Sequence, residues 1–254
     1  MIRRVLIFGA ILIITTALRA QLNLNIVFIG NSITEGGGLP NPATMAPPAQ
    51  AADYIRKKKK FKAVNFSNQG VSGSTTVDFL PATNTLIKNV EKAAEAYGHQ
   101  KDATLVFSMV LGTNDSAIEG PNGSPVSPEA YETNVKSILD RLFSLHPQAV
   151  FVLHHPTWYS PNTYNSSKYL QEGLTRLQRY FPILDKIVAE YQSTHPGQVF
   201  TGDTKAFDYF RNHQEMLDPE KGNQGTFYLH PTQQGSAELG HFWGKAILAV
   251  FAKK

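Results

Sequence analysis

Ile26-Val27-Phe28-Ile29-Gly30-Asn31-Ser32-Ile33-Thr34 decides how the rest of the chain is read. Four consecutive apolar residues, closed by a glycine and followed by polar residues, are the pattern of a strand buried on both faces, as in a parallel sheet. The pattern recurs. Ala63–Phe66 reads as a second short strand, ending at a polar, Gly-rich loop from Asn68 to Thr75. Thr104–Leu111 reads as a third strand, closed by Gly112-Thr113-Asn114-Asp115, and Ala149–His154 as a fourth. Val199–Gly202 reads as a short fifth.

Between these runs the apolar period changes to that of helices. Ala49–Lys59 is predicted helical, as is Asn84–Tyr97, where Leu86, Ile87, Val90, Ala93, Ala94 and Tyr97 share a face. Glu129–Leu145 is helical, entered through Ser127 and Pro128 as N-cap and first-turn residue. A long helix is expected up to Tyr191, and a closing one from about Pro231 to Phe251. Asp203–Leu229 shows no regular period. Strands and helices alternate without a repeat or a break in composition. The expected fold is α/β: right-handed crossovers making a three-layer α/β/α, flavodoxin-like parallel sheet of about five strands.

The first twenty residues differ from the rest. Arg3 and Arg4 precede the apolar run Val5–Ile14, and small and polar residues lead to Ala20. That three-part pattern predicts a secretory signal peptide over 1–20 and a periplasmic or secreted domain over 21–254. Leu18 leaves the cleavage position open, and an uncleaved anchor is the alternative. Without these residues, which carry three basic side chains and no acidic one, the formal charge falls from +4 to +1. The basicity of the whole chain is therefore no argument for nucleic acid. The block Arg56–Lys60 reads as a solvated helix end. No later segment is long and apolar enough to span a bilayer. The chain has no cysteine, which excludes a thiol nucleophile, cysteine-ligated metal and a lipidated cysteine.

In open α/β sheets, ligands bind beyond the carboxyl ends of the strands. Three such ends here are polar: Gly30-Asn31-Ser32, Asn68–Ser74 and Gly112–Asp115. His230 stands close to the last helix. A serine hydroxyl becomes a nucleophile when a neighbouring imidazole takes its proton, and attack on an ester carbonyl makes an oxyanion that needs prearranged donors. Ser32 N–H, Gly73 N–H and the Asn114 amide are the candidate donors, and a glycine at 73 lets the backbone approach a ligand closely.

The four blocks Gly30-Asn31-Ser32-Ile33-Thr34, Asn68-Gln69-Gly70-Val71-Ser72-Gly73, Gly112-Thr113-Asn114-Asp115 and His230-Pro231 resemble, in order, those of the SGNH hydrolases, also called GDSL-type esterases and lipases. The resemblance implies Ser32 as nucleophile, Ser32 N–H, Gly73 and Asn114 as oxyanion hole, and His230 as base, with no cofactor. Two positions depart from the family pattern. Asn31 stands where aspartate is usual, in a supporting place. Phe227 stands where the catalytic aspartate is usual, three residues before the histidine, and cannot orient an imidazole. Three explanations stay open: a Ser-His dyad held by a backbone carbonyl, an acid from the preceding segment (Asp203, Asp208, Asp218 or Glu220), or loss of activity.

His154 and His155 have no third ligand in register and, as neighbours near a strand end, point apart, so no metal site is expected. Trp158, Tyr159 and Tyr164 lie in the loop after the fourth strand, where aromatics could make a wall for a sugar ring. Export, a polar Gly/Asn-rich site and these aromatics favour an O-acyl ester, in the first place O-acetyl, on a carbohydrate. Lysophospholipase or general short-chain esterase is the alternative. A glycan-binding protein on a dead esterase fold is the alternative of another class. The sequence does not address the oligomeric state.

Overall fold

The structure, a computed structural model, describes residues 22–100 and 102–252. The segment read as a signal peptide lies outside them. Five strands form one parallel sheet in the order β2-β1-β3-β4-β5: β1 (Asn23–Gly30), β2 (Val64–Gly70), β3 (Ala103–Val110), β4 (Val150–Leu153) and β5 (Val199–Thr201). The helices are α1 (Ser32–Glu35), α2 (Pro42–Met45), α3 (Pro47–Lys57), α4 (Leu86–Glu95), α5 (Pro128–Leu145), α6 (Leu170–Thr194), α7 (Ala206–Asn212) and α8 (Gln233–Val250). The chain moves outward from β1 to β2, then returns to the other side of β1 as β3. With right-handed crossovers, that reversal puts α3 on one face of the sheet and α4, α5 and α6 on the other. Accordingly α8 packs along α3, and α5 along α6.

The core follows from the apolar runs. Leu24, Ile26, Val27 and Phe28 of β1 are fully buried, and the Phe28 ring stacks on Trp243 of α8 with centroids 6.1 Å apart. On the opposite face Tyr131 of α5 and Tyr180 of α6 stack at 4.0 Å. Each hydroxyl donates to a carbonyl, that of Leu111 and of Val126 respectively. These are buried tyrosines with satisfied polar ends.

Two expectations need correction. β2 runs on through Asn68, Gln69 and Gly70, which the sequence assigns to a loop; Gly70 pairs with Gly30 of β1. As an edge strand β2 is only partly covered, so its polar residues carry no apolar signature. The segment 203–229 contains α7 and an antiparallel hairpin, β6 (Leu217–Gly222) with β7 (Gly225–Pro231). Asp218, Pro219, Glu220 and Lys221 hide that hairpin, because it lies on the molecule's surface and one of its strands is mostly polar. His230 therefore sits on β7, and α8 begins later, capped by the Thr232 hydroxyl accepting from Gly235 N–H at 3.0 Å.

Candidate active site

Each site residue is placed by the end of a strand. Gly30 ends β1 against α1: a Cβ there would stand 2.0 Å from Thr34 Oγ1 and 2.9 Å from Val110 O, so only glycine fits. Asn31 then caps α1, its Oδ1 accepting from Ile33 N–H at 3.0 Å. Ser32 is thus the first residue of that helix, partly exposed at the carboxyl edge of the sheet. Asn68 fastens the second block to the first. Its Nδ2 donates to Thr34 O at 2.8 Å while its Oδ1 accepts from Gly70 N–H at 2.9 Å. Beyond it, Val71 N–H bonds Gly30 O at 3.0 Å, and both the N–H and the hydroxyl of Ser72 bond Glu35 Oε2.

Gly73 comes next, exposed, with φ +75°. A side chain there would meet nothing within 4 Å. The glycine is required by the left-handed backbone, not by tight contact with protein. Asn114, from the end of β3, is buried and donates from Nδ2 to Ser74 O at 2.8 Å. Its Oδ1 accepts from the Tyr169 hydroxyl at 2.7 Å. An amide nitrogen has two hydrogens, so Asn114 retains one donor beyond its bond to Ser74.

His230 meets Ser32 from the hairpin. Ser32 Oγ and His230 Nε2 are 2.9 Å apart. His230 Nδ1 lies 2.9 Å from Glu220 Oε1, which also accepts from the His230 N–H at 3.3 Å. A carboxylate can only accept, so this contact places the proton on Nδ1 and leaves Nε2 free to accept from the serine hydroxyl. Of the four acids named from the sequence, only Glu220 touches the imidazole. Asp203 is turned to the chain entering α7, accepting from Ala206 N–H at 2.9 Å and Lys205 N–H at 3.1 Å. Asp208 pairs with Arg211 at 2.9 Å, and Asp218 stands opposite Gly38. Phe227 is 1 % exposed and lies directly across the hairpin from Glu220. A dyad steadied by a backbone carbonyl does not describe this geometry.

The aromatic wall is also corrected. Trp158 and Tyr159 are buried, and the Tyr159 hydroxyl bonds Ser116 Oγ at 2.9 Å. They are core, and neither side chain is available to a sugar. Tyr164 is partly exposed and lies under Lys168. His154 is buried, its Nε2 against Ser108 Oγ and its Nδ1 accepting from Asp203 N–H, both at 2.9 Å. Burial pushes its pKa down to about 3, so it stays neutral.

Two groups the sequence does not single out support the site. Asp115, next to Asn114, is fully buried and its Oδ1 accepts from both the N–H and the hydroxyl of Thr76. Its Oδ2 has no partner. Burial pushes its pKa up to about 6, the Thr76 bonds opposing the shift. Tyr169, at the entry of α6, is the other. Asp115 is visible in the sequence as a carboxylate inside the third block; nothing local marks Tyr169.

A five-stranded parallel sheet with serine, histidine and carboxylate in hydrogen-bond series at its carboxyl edge defines a carboxylic ester hydrolase of α/β/α type. The chain belongs to the GDSL-like Lipase/Acylhydrolase family, whose sequence model matches residues 28–237. Solved structures share the fold at low identity. A lipase/acylhydrolase from Enterococcus faecalis is 18% identical with TM-score 0.56, over 89% of this chain and 95% of that one. A carbohydrate acetylesterase from Sinorhizobium meliloti is 15% identical with TM-score 0.58, over 89% and 99%. A member of the lipolytic G-D-S-L family from Veillonella parvula is 15% identical with TM-score 0.52, over 91% and 100%. No curated protein matches the chain in sequence.

Proposed function

We propose that Ser32 is the nucleophile of this esterase, His230 its general base and Glu220 the acid that orients the base. Ser32 N–H, Gly73 N–H and Asn114 Nδ2 make the oxyanion hole. The observation that carries this reading is the unbroken series Ser32 Oγ, His230 Nε2, His230 Nδ1, Glu220 Oε1, with both contacts at 2.9 Å. It also weighs against a dead esterase fold, because the acid missing at Phe227 is supplied from the paired strand.

The reaction runs in two steps. Ser32 Oγ attacks the ester carbonyl as its proton passes to His230 Nε2, and the three donors take the charge that develops on the carbonyl oxygen. The C–O bond to the alcohol then breaks, His230 protonates the departing oxygen, and the acyl group remains on Ser32. Water, deprotonated by His230, releases the acid and restores the serine. Glu220 holds the tautomer this requires and stabilises the imidazolium.

The substrate we infer is an O-acetyl ester on a carbohydrate, met outside the cytoplasm by a single domain freed of residues 1–20. With Trp158 and Tyr159 in the core, support comes from what surrounds the site. Among the described residues the large exposed apolar side chains are Leu22 and Leu145. Leu22 precedes β1 and Leu145 precedes β4, at the amino ends of the strands and so opposite the site. A lipase would present a wide apolar surface beside the serine. No helix of the described residues is long and apolar enough to cross a membrane.

The test is acetate release from a panel of acetylated glycans, compared with lysophospholipid and with short- and long-chain simple esters. The expected outcome is a kcat/KM for an acetylated glycan well above that for any simple ester. Preference for lysophospholipid or long acyl chains would overturn the carbohydrate reading and leave the esterase reading in place.

A further inference from the structure

The segment 160–169 brackets two parts of the site that are far apart in sequence. Ser160 holds the hairpin on both sides of one residue: its N–H donates to Tyr228 O and its Oγ accepts from Tyr228 N–H. Asn162 Nδ2 donates to Thr226 O at 2.8 Å, and Asn223 N–H donates to Tyr164 O at 2.7 Å. At its far end the same segment delivers Tyr169. That side chain is 4 % exposed, its ring lies edge-on to Tyr159 with centroids 5.4 Å apart, and its hydroxyl bonds Asn114 Oδ1 at 2.7 Å.

A side-chain amide can hold either of two orientations related by a half-turn. Here Ser74 O and the Tyr169 hydroxyl choose between them. The carbonyl oxygen of Ser74 requires an N–H, and Tyr169 O–H gives Oδ1 its buried donor. A hydroxyl donating to an amide oxygen also polarises that amide, making its remaining N–H a better donor to a developing negative charge.

We propose that Tyr169 is a positioning residue for catalysis: through its hydrogen bond to Oδ1 it fixes and polarises the Asn114 amide, so that the second Nδ2 hydrogen is aimed where the oxyanion forms. The inference rests on the reading of Asn114 as an oxyanion-hole donor. It separates the roles of the two residues. Asn114 would touch the reacting oxygen; Tyr169 would act only through Asn114.

Tyr169→Phe keeps the ring and its packing and removes the hydroxyl. Measured on p-nitrophenyl acetate, with kcat expressed per serine titrated by a fluorophosphonate so that only folded enzyme counts, it is expected to lower kcat by about tenfold. KM should stay within about twofold, because a bond that acts on the oxyanion is realised in the transition state. Asn114→Ala should cost more, about 10²–10³-fold in kcat. In the Asn114→Ala background, Tyr169→Phe should then add almost nothing. A Tyr169→Phe enzyme with unchanged kcat overturns the inference alone, provided Asn114→Ala is impaired. Losses that multiply in the double variant also overturn it, since Tyr169 would then act by another route. If Asn114→Ala itself keeps full kcat, the oxyanion-hole reading falls and the inference falls with it.

Discussion

Phe227 and Glu220 show what a single position does and does not determine. Three residues before His230 the chain carries a buried phenylalanine, which by itself leaves a dyad, an acid from elsewhere in the chain or a dead site. The carboxylate arrives instead from the facing strand, at a residue directly paired with Phe227 across the hairpin. Asp115 is the second residue whose environment matters more than its identity. Its ordinary pKa of 3.8 is raised to about 6, chiefly by burial. A carboxyl with a raised folded pKa is no liability below the unfolded value, where it is protonated in both states. Stability is lost as pH rises from about 4 through about 6, because the folded state resists ionisation. The loss is of the order of 3 kcal/mol. Asp115→Asn keeps an oxygen for Thr76 and removes the charge. In urea unfolding, the stability of Asp115→Asn relative to wild type should therefore rise by roughly that amount between pH 4 and pH 8. Buried His154, whose folded pKa is lowered, gives the opposite slope between about pH 6.5 and 3, but it is common to both proteins and cancels. A difference independent of pH would contradict the burial account of Asp115.

At the scale of elements, the site is held where β1 and β2 meet α1. Gly30 and Gly70 are paired in the sheet and both are crowded by that helix, while Gly73 faces open space. The two kinds of glycine should respond differently to alanine. At Gly70 a Cβ would stand 2.3 Å from the Glu35 backbone nitrogen, so β2 and α1 must move apart. Gly70→Ala is expected to cost about 3 kcal/mol, at the upper end for overpacking. Gly73→Ala meets no atom and should cost only the left-handed backbone penalty, about 1–2 kcal/mol. Chemical denaturation of the two variants checks this; equal losses would mean that the packing of α1 on β2 is not what fixes Gly70. Legibility in the sequence follows the same division. Strands β1, β3 and β4 are apolar runs because they are covered on both faces, and each is readable. The end of β2 and the hairpin are not. Both lie where water covers part of the backbone, so their polar residues obey pairing and register, which leave no local pattern. Glu220 reads in the sequence as one of four equal candidates for that reason. Which acid meets His230 depends on how β6 pairs with β7.

For the whole molecule, three of the four blocks lie at the carboxyl ends of β1, β2 and β3, and the fourth, His230-Pro231 on β7, meets them through the contact of His230 with Ser32. The alternation of strands and helices is what makes the fold readable in the sequence, and the order of the blocks is what points to Ser32 and His230. What surrounds the site was less legible. Aromatic residues in a loop suggest a sugar platform, yet Trp158 and Tyr159 fill the core: residues 154–160 after β4 are all buried, and Ser160 bonds Tyr228 of the hairpin. Activation of one serine through His230 and Glu220 makes that serine the site of covalent labelling. Wild-type protein treated with a fluorophosphonate should gain one adduct, mapped to Ser32 by peptide mass spectrometry. Ser32→Ala should gain none. Glu220→Gln should label at Ser32 far more slowly, by up to about 10⁴-fold, the loss in turnover seen when a triad acid becomes an amide. Labelling of Ser32→Ala at the wild-type rate would rule out Ser32 as the nucleophile, and labelling of Glu220→Gln as fast as wild type would rule out Glu220 as the acid that activates it.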